Sequence, residues 1–162
     1  MKAESQQQRQ NLKGRLPFRV GTTSYILPDD LVPNVAYLAD QVDDVELVLF
    51  ESDELSNLPE ASVIETLASL ADEHDLTYTV HLPLDAELGN SDESVRLRSV
   101  EKCRKVIRLT QTLQPFGYLL HLQGRRPGRE PADDLESWKA SLDESILQLL
   151  DDGLPPDALC VE

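Results

Sequence analysis

Two kinds of apolar segment alternate along this chain, and that alternation limits its fold more than any other feature. Short β-branched or aromatic runs fall at residues 18–23, 44–51, 76–81, 116–122 and 158–162. Such runs favour strands. Between them lie longer segments, 28–40, 57–74, 90–113 and 132–153, with apolar residues at helical spacing. Ile64, Leu67, Ala68 and Ala71 share one helical face, Val100, Cys103 and Ile107 another. Leu135, Trp138, Leu142, Ile146 and Leu149 make a third stripe. Asp29 or Asp30 can cap the first helix, and Pro33 is tolerable only in its first turn. Asn57 with Glu60, and Asn90 with Glu93, have the spacing of a capping box. Gly153 and the Pro155-Pro156 pair end the last helix.

The order is βαβαβαβαβ, which implies a parallel sheet with right-handed crossovers. The strands read without clean polar alternation, as in sheets covered on both faces. Two architectures fit, a doubly wound open sheet and a (β/α)8 barrel. No GxGxxG or GxxxxGK[ST] follows the first strand, which removes the strongest nucleotide-binding signals. A full barrel needs roughly 250 residues, whereas this chain has 162. The expected fold is therefore α/β, a partial TIM barrel of about strands 1–5. Residues 1–15 are polar and aperiodic and read as a disordered tail, leaving 16–162 as the N-terminal part of a barrel domain.

The formal net charge of −15 argues against general nucleic-acid binding. No apolar stretch is long enough to span a bilayer, and no signal-peptide core precedes the first strand. Cys103 and Cys160 form no CxxC pair and read as buried thiols. Together these features predict a cytoplasmic protein with neither nucleic-acid nor membrane partners.

Parallel α/β folds gather the C-terminal ends of their strands on one face, where active sites form. The third strand delivers His81 there, the fourth His121 and the fifth Glu162, spaced by one βα repeat each (81 to 121 to 162). Imidazole with carboxylate suits Zn²⁺ or another first-row divalent ion such as Mn²⁺. A single His at a strand end is more often a satisfied polar residue, but three groups in register favour a metal site. His74 falls at a helix C-terminus, where it complements the dipole, and carries no assigned function.

Other strand ends offer less specific candidates. Thr22, Thr23, Ser24 and Tyr25 can bond a ligand or make a turn. Glu51 can ligate a metal or act as a base, or be a solvated loop acid; Glu46, mid-strand, needs a partner if buried. Arg125, Arg126 and Arg129 cluster in GRRPGRE, either to grip phosphate or to offset neighbouring acids.

At His81, His121 and Glu162 the chain resembles the xylose-isomerase-like TIM barrels, which include sugar-phosphate isomerases and epimerases and metal-dependent apurinic endonucleases. The endonuclease pattern puts His, His and Glu on strands three, four and five, matching these residues as metal ligands. GTTSYILPDDLVPNVAYLADQVDDVELVLFES, LADEHDLTYTVHLPLDAELG and SVEKCRKVIRLTQTLQPFGYLLHLQG resemble more closely the cobamide-remodelling phosphodiesterases of that superfamily, over roughly residues 18–162. That resemblance implies metal-dependent hydrolysis of the phosphodiester in a cobamide nucleotide loop. His81, His121 and Glu162 would hold a divalent metal (Zn or Mn). Glu51 would act in catalysis, and Thr23, Ser24, Arg125 and Arg126 would bind substrate. The family barrel continues through strands six to eight, which carry further ligands, so the expectation is a fragment or truncated product. Two alternatives accompany it: a sugar or sugar-phosphate isomerase or epimerase, and a non-catalytic half-barrel that self-associates through its open edge.

Overall fold

The computed structural model describes residues 11–52, 54–122, 135–151 and 153–162. Five strands, β1 (Gly21–Thr23), β2 (Asp44–Val48), β3 (Thr77–His81), β4 (Gly117–Leu120) and β5 (Leu159–Val161), alternate with helices. These are α1 (Leu31–Leu38), α2 (Ala61–His74), α3 (Glu93–Thr110) and α4 (Leu135–Asp151). Short 3-10 turns, Gln111–Leu113 and Pro156–Ala158, precede β4 and β5. Every strand pair is parallel and the spatial order is β1-β2-β3-β4-β5. A doubly wound sheet reverses its strand order at a switch point. This sheet does not, so it is part of a TIM barrel, one of the two architectures that the element order allows.

The two faces of the sheet differ, which corrects the expectation of strands covered on both. Val45, Leu47, Tyr78, Val80, Tyr118 and Leu120 are buried against the helix layer. Their alternating neighbours Asp44, Glu46, Thr77 and Thr79 are only half-buried. All the packing helices lie on one side, so the other side keeps a polar lining. Asp44 there accepts the hydroxyls of Thr77 (2.6 Å) and Thr79 (2.7 Å). On the covered side Tyr78 donates its hydroxyl to the Leu67 carbonyl at 2.7 Å, inside the core of α2. Burying each large side chain there contributes roughly 1.5–3 kcal/mol. Cys103 belongs to this core, and burial pushes its thiol up to about 12. Cys160 does not: it is exposed on β5, contrary to the sequence reading.

Helix starts also move. Leu58 precedes Pro59, which holds it in extended backbone, so α2 begins only after Glu60. Asn57 instead bonds the Phe50 amide and the Tyr25 hydroxyl. Helix α3 is capped by Asp92, whose carboxylate accepts the Ser94 amide at 2.8 Å, rather than by Asn90.

The segment 11–15 was read from sequence as tail, yet it is bonded to the body. Leu12 and Lys13 donate their amides to the Gln41 carbonyl, and Gly14, at φ 66°, donates to Asp43 Oδ1 at 2.8 Å. Residues 1–10 of the expected tail lie outside the described residues. No helix among the described residues is long and apolar enough to cross a membrane.

Candidate metal centre

His81 is the last residue of β3, and His121 and Glu162 follow β4 and β5 directly. Ladder bonds continue past the strand ends and fix this backbone. Leu82 donates its amide to the Leu119 carbonyl at 2.9 Å, and Glu162 donates its own to Leu120 at 3.0 Å. Strand periodicity puts all three side chains on the polar face.

They converge there. His81 Nε2 and His121 Nε2 lie 2.9 Å apart, and His121 Nε2 is 3.6 Å from Glu162 Oε2. One ligand atom from each of the three falls within 4.8 Å of the others. The imidazole rings stack, with centroids 4.8 Å apart and planes 26° apart. His81 Nδ1 sits 2.6 Å from the Leu82 carbonyl oxygen. A carbonyl only accepts, so Nδ1 carries the proton and the Nε2 lone pair faces the His121 and Glu162 side chains. His121 has no equivalent Nδ1 partner among the described residues. Two imidazole nitrogens and one carboxylate oxygen fit a divalent first-row ion. His81 is 7 % exposed, whereas the Glu162 side chain is 63 % exposed. The centre is thus anchored inside and open to solvent on one side, which leaves room for a ligand.

The other sequence candidates are placed differently. Thr23 pairs in register with Glu46 on the polar face. Ser24 is buried, and its hydroxyl accepts the Val48 amide at 3.3 Å, so it extends the β1–β2 ladder. Tyr25 is exposed, its hydroxyl held by Asn57 at 2.6 Å. Glu51 is turned toward α3: Oε1 pairs with Lys105 Nζ at 2.5 Å and Oε2 accepts the Ser56 hydroxyl at 2.6 Å. The Lys105 hydrogen bond, then that of Ser56, holds its carboxyl below the ordinary glutamate value. Both oxygens being committed, Glu51 is not part of the cluster formed by His81, His121 and Glu162. His74 pairs with Asp40 at 2.8 Å at the end of α2. Arg125, Arg126 and Arg129 lie outside the described residues.

Some residues that shape the rim escaped sequence reading. Asn34 in α1 is fully buried. Its carboxamide accepts the amides of Ile26 and Leu27 and donates to the carbonyls of Leu27, Asp29 and Asp30. It moulds the loop after β1. Ser99 and Ser145 hold the loop after β3, the first accepting the Glu87 amide at 2.9 Å, the second donating to the Leu88 carbonyl at 2.8 Å. Trp138 of α4 lies against Gly89 of that loop so closely that an added Cβ would meet its Nε1 at 2.2 Å. A polar residue on an otherwise apolar helical stripe was the available signal for Asn34 and Ser145.

These features define a class: part of a βα barrel with two histidines and a glutamate gathered at the C-terminal ends of neighbouring strands. The chain belongs to the xylose isomerase-like TIM barrel family, whose sequence profile matches residues 37–154. No curated protein matches it significantly in sequence. Among solved structures it is similar to a D-tagatose 3-epimerase-like protein, with a TM-score of 0.65 and 19% identity, over 89% of this chain and 51% of that one. It is also similar to a D-psicose 3-epimerase in the presence of D-fructose, with a TM-score of 0.67 and 16% identity, over 89% and 52%. An L-ribulose 3-epimerase gives 0.53 and 16%, over 88% and 59%. The chain spans about half the length of the first two, and at these identities the likeness establishes the fold.

Proposed function

We propose that this chain supplies the metal-binding part of a sugar epimerase or isomerase, with His81, His121 and Glu162 holding a Mn²⁺ or Zn²⁺ ion. The observation that carries the reading is the convergence of those three donors on a fold shared with sugar 3-epimerases. A bound divalent ion polarises the oxygen of a carbonyl and so acidifies the neighbouring C–H. The Leu82 carbonyl keeps His81 in the tautomer that presents Nε2. Epimerisation needs a carboxylate to move a proton between carbon and solvent or between sugar faces. Glu162, whose side chain is 63 % exposed, is spent on the ion in this reading, and the oxygens of Glu51 are held by Lys105 and Ser56, so neither is that carboxylate.

Phosphodiester hydrolysis on a cobamide stands behind this reading. Its proposed phosphate contacts, Arg125 and Arg126, lie outside the described residues, and the two structural neighbours at TM-scores of 0.65 and 0.67 are a D-tagatose 3-epimerase-like protein and a D-psicose 3-epimerase. The test is incubation of the Mn²⁺-loaded protein with D-fructose and D-psicose in D₂O, followed by NMR. Deuterium appearing at the carbon beside the carbonyl supports epimerisation. No exchange, with cleavage of an activated phosphodiester instead, would overturn it in favour of the hydrolase.

A further inference from the structure

The two histidines of the rim share the residue that follows and differ in the one after it: His81-Leu82-Pro83 against His121-Leu122-Gln123. A proline acts on the residue before it. Its ring crowds the preceding backbone and leaves that residue extended, at ψ of about 120 to 160°. Pro83 therefore limits Leu82 on one side. On the other, the Leu82 amide is held by the Leu119 carbonyl at 2.9 Å. Between these restraints the Leu82 carbonyl keeps one direction, and its oxygen lies 2.6 Å from His81 Nδ1.

Pro83 is itself held in place. It is buried, and its carbonyl accepts the Ala86 amide at 3.1 Å. Having no amide hydrogen, it brings no donor into this buried turn that would need a partner. Ala86 and Leu88 are buried beyond it, and Ser99 and Ser145 hold the backbone at Glu87 and Leu88. The turn after β3 cannot move away from His81 without breaking these contacts.

The consequence reaches the second histidine. With Nδ1–H donated to Leu82, His81 turns an unprotonated Nε2 toward His121 Nε2, 2.9 Å away. Two lone pairs repel at that distance, and a neutral imidazole has one donor and one acceptor. His121 therefore carries its proton on Nε2 and donates it. The two rings hold opposite tautomers: His81 is ready to ligate as it stands, whereas His121 must first move its proton to Nδ1.

We propose that Pro83 is a positioning residue, which fixes the Leu82 carbonyl against His81 Nδ1 and so holds His81 in the tautomer that presents Nε2 to a metal ion. This rests on the metal centre proposed above and deepens it, by naming the residue that readies one ligand before the ion arrives.

The test reads the tautomer directly, in the apo-protein at about pH 8, where an ordinary imidazole is neutral. Proton–nitrogen correlation spectra separate protonated from unprotonated ring nitrogens. In wild type His81 should carry its proton on Nδ1 and His121 on Nε2. Pro83→Ala should give His81 a mixture of both tautomers. It should also lower Mn²⁺ or Zn²⁺ affinity, read by calorimetry, by about 10-fold, the lower end for disturbing a ligand's outer partner. Pro59→Ala, which frees Leu58 in the same way just before α2, is the control for a general loss of stability. It should change neither readout. A pure Nδ1–H tautomer of His81 in Pro83→Ala overturns the proposal and leaves the metal centre standing. So does a fall in affinity that Pro59→Ala reproduces. A wild type that takes up neither ion overturns the metal reading, and the apo spectra alone then decide the role of Pro83.

Discussion

The two ends of the sheet use similar polar residues in opposite ways. At the N-terminal end Asp43, Arg19 and Lys13 are spent on backbone. Asp43 accepts the amides of Gly14 and Val20, at 2.8 and 3.0 Å. Arg19 donates to the carbonyls of Asp43 and Asp75, and Lys13 to those of Val42 and Asp75. At the C-terminal end His81, His121 and Glu162 meet one another, and the remaining valence points outward. The lower cluster closes the ends of helices and loops that cannot pair with themselves. The upper cluster keeps donors free for a ligand. This division between a stabilising floor and a reactive rim is the one that barrel folds share.

The sharpest way to break the contrast is to remove a rim ligand. His81→Ala and His121→Ala should each lower Mn²⁺ or Zn²⁺ affinity by more than about 100-fold, beyond what loss of an outer partner costs. Calorimetry against the wild type checks this, and unchanged affinity in either variant removes that histidine from the centre.

The rim itself needs a scaffold, and damage there should appear as stability. Gly89→Ala drives a methyl into Trp138 and should cost about 1–3 kcal/mol. Thermal unfolding reads the loss, and Gly89→Ala combined with Trp138→Leu should recover much of it. Asn34→Ala strands the amides of Ile26 and Leu27 and should cost on the order of 3 kcal/mol.

A floor substitution should be felt through pH rather than through metal. Backbone hydrogen bonds from Val20, then Gly14, hold the Asp43 carboxyl below its ordinary value of 3.8. A group depressed in the folded state stabilises above its unfolded pKa and loses that contribution as pH falls through the folded pKa. Wild type should therefore lose stability as pH drops below about 4. Asp43→Asn should be less stable at neutral pH, flatter in this acidic window, and unchanged in Mn²⁺ affinity. Denaturant titrations across pH settle the matter; metal binding that falls with Asp43→Asn would abolish the distinction between floor and rim.

The smallest effect separates the two cysteines. Cys160 on the open face should react with a thiol reagent in the native protein, whereas Cys103, with its thiol pushed up to about 12, should react only on unfolding. Two equivalents reacting at the same native rate would show that the helix layer is not closed.

Much of this was legible in the sequence. Apolar periodicity is a local signal, so the number and order of strands and helices followed from it, and each strand end landed within a few residues. His81, His121 and Glu162 were identifiable because a βα repeat of constant length brings equivalent positions to the same rim. Element boundaries were less legible. Asn57 and Asn90 carry a capping signature, yet Pro59 delays one helix and Asp92 caps the other.

What tertiary structure alone decided involves residues far apart in the chain. Glu51 reads as a strand-end acid like Glu162, but Lys105, 54 positions away, turns it toward α3. Asn57 is taken by Tyr25, 32 positions earlier, and Leu88 by Ser145, 57 positions later. Strand spacing states that a side chain points to one face, but not which face the helices cover. It therefore could not say that Asp44, Glu46, Thr77 and Thr79 form an open polar lining. A local pattern sets where the backbone turns. The partner a carboxylate or amide finds depends on which distant surface the fold presses against it.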